Sequence, residues 1–398
     1  MQKLSKLKIT FLCPSLERVR GYGWGYDCKS YLQNANKDVF AQEKFMGYGG
    51  LQPYVLKDET THLQPIEFVP RPLEDDEVEI EVSACGICGS DIHQLTNGWN
   101  RATFPIIPGH EFIGKITAVG CSVKTHSMGQ RVGVSPVSRS CGDCELCHNL
   151  CGQYCASKVT TYNGNFKGHK TFGGYANKVR VQATWAIPIP DGIRDIDAPL
   201  LCAGITTYLP FKHQNIGKDT SVAVLGIGGL GHLAIQWAKA KQCKKVIAIS
   251  TSNHKKEDAF KLGATDFLVL NQDGTYDLKY AKSADVLLVC GSGKNTNWTK
   301  LVELVKIAGK LVLIDLPEQP LVIESAAIVY GNVTIVGTYV GCPDDLKEML
   351  QFADETGVRP WVTTVDNSLE GVNQGVKDLI NGKSHYRIVI DGIGRQKE

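Results

Sequence analysis

The stretch Ser221-Val222-Ala223-Val224-Leu225-Gly226-Ile227-Gly228-Gly229-Leu230-Gly231-His232-Leu233-Ala234 decides the fold. Its apolar opening, Ser221–Leu225, predicts a buried strand, and Leu230–Lys241 continues with the spacing of an amphipathic helix. Between them Gly226, Gly228, Gly229 and Gly231 form G-x-G-G-x-G. Strand, glycine turn and helix in that order let a pyrophosphate approach a helix N-terminus, where backbone N–H groups lack partners within the helix. A glycine motif alone is weak. With its strand and helix in place it predicts a dinucleotide site at Gly226, Gly228, Gly229, Leu230 and Gly231.

The same texture runs downstream. Lys245–Ile249 reads as a strand, Lys255–Leu262 as a helix, Asp285–Val289, Lys310–Ile314 and Val333–Val336 as further strands, and Pro343–Glu355 as a helix. This alternation predicts an α/β unit, a doubly wound parallel sheet with crossover helices. Upstream, from Ile66 to Arg139, short β-type runs such as Glu77–Val82 and Phe112–Val119 alternate with Gly and Pro turns, as in a twisted, barrel-like β domain. The tail, through Tyr386–Ile390, is expected to return to that domain. At 398 residues the chain exceeds the size at which single cores usually split. The expected division is an N-terminal extension over 1–44, a β domain over 45–201, the dinucleotide domain over 202–341, and a C-terminal return over 342–398. The first 42 residues lack periodicity. Lys3, Lys6 and Lys8 precede an apolar run, Ile9–Cys13, too short for a signal sequence, so an irregular extension is expected, with a transit peptide as the alternative.

The 43 Lys+Arg and 41 Asp+Glu leave a net charge of +2, too balanced for a nucleic-acid or anionic-lipid footprint, so a small-molecule partner is expected. Ser221 to Ala238 is interrupted by four glycines and a histidine, and no membrane span is expected. Fourteen cysteines, several crowded at metal-ligand spacing, point to thiolates in a reducing, cytoplasmic compartment. Cofactor choice is read from the end of the second strand. There Ser250, Thr251 and Ser252 stand where a site selective for NAD would carry an acidic residue for the ribose hydroxyls. Hydroxyls followed by Lys255 and Lys256 suit a 2′-phosphate, which favours NADP(H).

Cys141, Cys144, Cys147 and Cys155 give C-x2-C-x2-C-x7-C in one loop-forming stretch, spacing that wraps a tetrahedral zinc with no vacant position, a structural site. Cys151 is a fifth thiol the pattern does not require. A second set is dispersed: Cys88 in Gly86–His93, His110-Glu111 after Pro108-Gly109, and Cys202 before Ala203-Gly204. Each is weak alone. Together, two thiolates and an imidazole suit zinc with a fourth position left open for water or a substrate oxygen.

These motifs, occurring in one order, resemble the zinc-containing medium-chain dehydrogenases. Cys141–Asn149, Gly173-Gly174-Tyr175-Ala176 and Ala198–Tyr208 are similar to the cinnamyl alcohol dehydrogenase group, including fungal broad-range NADP-dependent alcohol dehydrogenases. The resemblance, which spans about Phe45 to Ile390, implies a GroES-like β-barrel catalytic domain with a Rossmann domain, two zinc ions per chain, and a homodimer. It implies that Cys88, His110 and Cys202 hold the catalytic zinc and that Glu111 can enter its shell. Asp91 would orient His110, and Thr206 would lie beside the nicotinamide. Thr338 and Tyr339 would pass the cofactor and substrate, while Ser90 and His93 would carry the alcohol proton to solvent. Plant members often place an acidic residue where this chain has Gly98, so the outer end of that route departs from the pattern. Thr160 stands where plant cinnamyl enzymes usually carry tryptophan, which removes an aromatic wall; Leu95, Trp99 and Tyr339 are the candidates for a roomy apolar pocket instead. The expected reaction is interconversion of primary alcohols and aldehydes. An NAD-dependent polyol or secondary-alcohol dehydrogenase is the alternative, and a non-catalytic RNA binder using the four-cysteine lobe is a third reading that neutral charge disfavours.

Overall fold

Two sheets carry the molecule. The structure, a computed structural model, describes residues 43–55, 62–149, 151–293, 295–317 and 319–394. The extension expected over 1–44 lies, apart from its last two residues, outside the described residues. Lys44–Glu398 form one compact unit, and it contains both sheets.

The first sheet is parallel, with six strands in the order Asp266–Val269, Lys245–Ser250, Ser221–Leu225, Ala284–Val289, Val305–Leu313 and Thr334–Gly337. All five residues of Ser221–Leu225 are buried, because a central parallel strand is covered by helices on both faces. Chain order reverses between Ser221–Leu225 and Ala284–Val289, and ligands of such sheets bind outside the carboxyl ends of the strands at that switch point. Helix Gly231–Ala240 packs against helix Ala203–His213 through Leu233, Trp237, Ile205 and Tyr208. Trp237 also donates from Nε1 to Thr207 Oγ1 at 3.1 Å, which satisfies the one polar atom of a fully buried indole. The fifth strand starts at Val305 rather than Lys310. Its Lys306-Ile307-Ala308-Gly309 segment exposes Ile307 and Ala308 and breaks the strand's alternation, and its pairing with Ala284–Val289 slips register there.

The second sheet is built on Glu77–Ile87. That strand pairs antiparallel with Phe112–Val119 on one edge, and with Lys178–Gln182 and then Arg387–Asp391 on the other. Irregularities between Glu79 and Ile80 and between Val82 and Ala84 bend the strand so that one edge serves two partners. Glu77 and Glu79 are buried, and Arg71 and Arg139 on the first, Arg180 and Lys178 on the second, compensate the charge. Arg131–Val134 extends the sheet beyond Phe112–Val119, and Val362–Asp366 lies parallel to Arg387–Asp391. Among the described residues no helix is long and apolar enough to cross a membrane.

This pairing places the chemistry. Cys88 follows directly on Glu77–Ile87, and His110-Glu111 directly precedes Phe112. Cys85 pairs with Phe112 and Ile87 with Ile388, so Cys88, His110, Glu111 and Arg387 meet at one end of the sheet.

Candidate functional site

Cys88 is the N-cap of helix Gly89–Leu95, with extended φ and ψ of −105° and 156°. Cys202 ends the turn Asp195–Leu201 and caps helix Ala203–His213. Their thiols, a ring nitrogen of His110 and a carboxylate oxygen of Glu111 all lie within 4.8 Å of one another, and all four residues are buried. Asp91 fixes the imidazole. Its Oδ1 lies 3.1 Å from His110 Nδ1 and accepts from Gly109 N at 3.2 Å; its Oδ2 accepts from Cys88 N at 2.9 Å. With Nδ1 engaged, Nε2 faces the cluster, 3.2 Å from Cys202 Sγ. Burial opposes a proton on His110, but Asp91 and Cys88 outweigh it and raise its pKa well above the usual range. The hydrogen bond from Cys202, helped by Arg387 and His110, pulls the Cys88 thiol well below its usual range. Glu111 is pushed up to about 7 by burial, against the pull of Arg387, and its Oε2 is buried without a hydrogen-bond partner among the described residues. Two sulfurs, one imidazole nitrogen and an orphaned carboxylate oxygen in a dry pocket fit a zinc ion with an open position.

The lobe Cys141–Cys155 brings four thiols together: Cys141 to Cys147 at 3.8 Å, Cys144 to Cys147 at 3.6 Å and Cys155 to Cys141 at 3.5 Å. A disulfide would require about 2 Å, whereas zinc–sulfur bonds of about 2.3 Å in a tetrahedron set sulfurs roughly 3.8 Å apart. The lobe therefore fits a closed zinc site. N–H donation from Asp143, then Cys144, lowers the Cys141 thiol to about 6, toward the thiolate such a site uses. Cys151 lies outside this group.

The glycine turn has the geometry of a phosphate cradle. Gly226 has φ of +87°, which a side chain disfavours, and a Cβ on Gly231 would lie 1.9 Å from Gly226 O. Gly228, Gly229 and Leu230 complete the turn, with Leu230 capping helix Gly231–Ala240. A pyrophosphate fits against these amides. Thr206 lies one turn into helix Ala203–His213, its N–H bonded to Cys202 O at 3.0 Å. Thr338 N donates to Leu313 O at 3.1 Å, and the Tyr339 ring lies 6.2 Å from that of Tyr154. Ser250 closes the second strand, Ser252 N donates to its Oγ at 3.4 Å, and Thr251 is exposed. The two lysines part company: Lys256 is exposed at the start of helix Lys256–Leu262, whereas Lys255 turns back to donate to Ile227 O at 2.8 Å over the Tyr386 ring.

Ser90 and His93 sit one turn apart on helix Gly89–Leu95, and Trp99 stacks on His93 with ring centroids 4.6 Å apart. Leu95, a candidate pocket residue, is core instead. It is 1 % exposed and packs with the β domain because its helix turns that face inward. Several residues escaped the sequence reading. Arg387 bonds Glu111 Oε1 through Nη2, and its Nη1 lies 3.9 Å from Cys88; an arginine within the apolar run Tyr386–Ile390 was the signal. Tyr162 stacks on His110 at 5.8 Å, two positions beyond Thr160, so an aromatic ring does face the cluster. Tyr175 OH donates to Asp91 Oδ2 at 3.4 Å. His232 is fully buried, its Nδ1 on Gly228 O at 3.0 Å and its Nε2 accepting from Trp361 N at 3.2 Å. Tyr175 stands in Gly173-Gly174-Tyr175-Ala176, a stretch that carried the family resemblance without a role for the tyrosine, and no motif marks Tyr162 or His232 as a site residue.

The chain matches two family models, "Alcohol dehydrogenase GroES-like domain" over residues 74–191 and "Zinc-binding dehydrogenase" over residues 229–355. It is 38% identical over 324 residues to the probable formaldehyde dehydrogenase AdhA of Bacillus subtilis, covering 81% of this chain and 91% of that protein. Among solved structures it is similar to a cinnamyl alcohol dehydrogenase from Sorghum bicolor, with a TM-score of 0.82 and 32% identity over 89% of this chain and 99% of that one. A cinnamyl alcohol dehydrogenase from Helicobacter pylori, solved in complex with NADP(H), aligns with a TM-score of 0.80 and 28% identity over the same shares of each chain. The architecture is thus a GroES-like domain joined to a parallel-sheet Rossmann domain.

Proposed function

Because the chain belongs to the zinc-containing medium-chain alcohol dehydrogenase family, among cinnamyl alcohol dehydrogenase relatives, we propose that it interconverts primary alcohols and aldehydes with NADP(H), chiefly as an aldehyde reductase. The observation that carries this reading is the convergence of Cys88, His110, Glu111 and Cys202 in one buried cluster. In the proposal Cys88, His110 and Cys202 hold a catalytic zinc, and Cys141, Cys144, Cys147 and Cys155 hold a structural one. Bound there, the metal supplies Lewis acidity to the substrate oxygen and the nicotinamide supplies or accepts hydride. Asp91 keeps His110 in one tautomer. Arg387 would hold Glu111 through Oε1 and leave Oε2 as a further oxygen able to meet the metal. Ser90 takes the alcohol proton and His93 passes it toward solvent.

The absence of a carboxylate at Ser250-Thr251-Ser252 supports NADP(H), as does the NADP(H) complex of the Helicobacter pylori relative. Lys256 then faces the 2′-phosphate and Lys255 braces the glycine turn. Thr206, Thr338 and Tyr339 border the nicotinamide. Tyr162, Trp99 and Tyr339 give the substrate pocket aromatic walls, suited to cinnamyl, aromatic, branched and medium-chain aldehydes. A polyol dehydrogenase using NAD is the second reading, and those aromatic walls weigh against it. We further place the protein in the cytoplasm, as a homodimer joined through the strand Thr334–Gly337, with the domain division 45–201, 202–341 and 342–398.

The test is to assay purified protein with cinnamaldehyde and hexanal, NADPH and NADH side by side, with zinc determined in the same preparation. NADPH preference with two zinc ions per chain is the expected outcome. NADH preference overturns the role given to Ser250 and Lys256 and favours the polyol reading, and one zinc with no turnover overturns the catalytic site.

A further inference from the structure

Strands Ala284–Val289 and Val305–Leu313 are adjacent and parallel, so the segments leaving them emerge side by side at the carboxyl edge of the sheet. Asp315 closes the gap between them. Its Oδ2 accepts from both the backbone N and the Oγ of Ser292, each at 2.7 Å, and its Oδ1 accepts from Leu316 N at 2.8 Å. Gly291, next to Ser292, lies against the glycine turn: a Cβ on Gly226 would stand 2.8 Å from Gly291 N. On the other flank Leu313 O accepts from Thr338 N at 3.1 Å. The neighbouring Tyr339 phenol is raised to about 12, first by burial and then by the proximity of Cys202. The Asp315 carboxylate therefore sits between the segment bordering the glycine turn and the segment bordering the thiol cluster. A cofactor with its pyrophosphate on the turn and its reacting ring beside Cys202 crosses this edge.

We propose that Asp315 is a specificity-determining charge that favours the oxidised nicotinamide cofactor over the reduced one. The inference rests on the cofactor site proposed above. The nicotinamide ring is cationic when oxidised and neutral when reduced, so a fixed carboxylate acts on the difference between the two forms. The three hydrogen bonds on Asp315 hold that charge in place without cancelling it. Favouring the oxidised form on the enzyme shifts the bound equilibrium toward aldehyde reduction. At separations of about 6–10 Å and an effective dielectric constant of about 40–50, between the near-surface value of about 20 and that of water, one unit charge changes the preference by roughly threefold to tenfold.

The experiment is to titrate full-length wild type, D315N, D315E and S292A with NADP+ and with NADPH, following intrinsic fluorescence, and to compare the ratio of the two dissociation constants. In D315N the ratio Kd(NADP+)/Kd(NADPH) is expected to rise about threefold to tenfold, mostly through weaker NADP+ binding. D315E, which keeps the charge, and S292A, which removes one hydrogen bond, are expected to leave the ratio close to wild type. Should D315N not fold, D315S removes the charge and keeps an acceptor, and the same rise is expected. Equal weakening of both forms in the neutral variants overturns the proposal and makes Asp315 a tie between two loops. Wild type that binds neither form overturns the cofactor site itself, and this inference with it.

Discussion

Arg387 and Glu111 share the space behind Cys88, and their pairing is the most consequential contact at the residue scale. Both side chains are buried, and the guanidinium also leans on Cys88. Removing one member of a buried pair leaves the other charge uncompensated, at a cost of about 3–5 kcal/mol. R387Q is therefore expected to lower stability by about that amount in denaturant unfolding, and adding E111Q to the same chain should restore a large part of it. An unchanged unfolding midpoint in R387Q would show that Glu111 protonates without cost. Asp91 acts differently, through the ring it orients. D91N keeps one acceptor but loses the charge that favours the His110 tautomer, and a tenfold to hundredfold loss of zinc affinity is expected in chelator competition. These partners were only partly legible in sequence. Asp91 stands within Gly86–His93 and was visible there, whereas Arg387 reaches the site only because Ile388 pairs with Ile87 across nearly the whole chain.

At the scale of elements, the four-cysteine lobe and the glycine turn are held by different forces. Among the described residues the lobe Cys141–Cys155 has little apolar interior: Cys141 and Leu146 are exposed, and Gly152, Gln153 and Cys155 are buried. Metal coordination is then its main source of order. C147S is expected to bind one zinc fewer per chain and to become sensitive to proteolysis within the lobe; retention of full zinc would remove the structural site. The glycine turn instead leans on His232, which joins Gly228 O to the backbone of Trp361. Burial depresses the His232 pKa to about 3, so the native chain keeps the ring neutral while the unfolded chain protonates it below about 6.5. The unfolded state thus binds the extra proton across that window. The stability His232 contributes is present above pH 6.5 and is lost as pH falls toward 3. H232N is expected to flatten the pH dependence of stability between those limits, by up to a few kcal/mol at about 1.4 kcal/mol per pKa unit. A slope equal to that of wild type in chemical denaturation at pH 7, 5 and 4 would sink this account.

At the scale of the whole molecule, the strand Thr334–Gly337 ends the parallel sheet with one edge unpaired among the described residues, and Ile335 is 36 % exposed on it. The helix just before it, Ser325–Gly331, exposes Val329 at 69 % and Tyr330 at 86 %. An exposed strand edge flanked by apolar side chains is a pairing template for a second copy. I335K is expected to shift the protein from dimer to monomer in sedimentation velocity, and wild type that sediments as a monomer would end the dimer reading. The long-range order of this molecule was unevenly written in its chain. The strand, turn and helix from Ser221 to Ala240 were legible because residues close in sequence form them and Gly226 and Gly231 sit where the backbone's own approach disfavours a side chain. The thiol spacing of Cys141, Cys144, Cys147 and Cys155 was legible for the same reason, since one short loop brings all four together. The sequence by itself therefore determined the local frames, the candidate ligands and the α/β class. Only the tertiary structure decided that Tyr162 faces His110, that Leu95 is core, that Lys255 and Lys256 point to different places, that Arg387 pairs with Glu111, that Asp315 bonds Ser292, and that His232 joins Gly228 to Trp361. Those positions depend on strand register and packing between elements, which join residues from 23 to 276 positions apart, and no helical or strand spacing encodes such a contact.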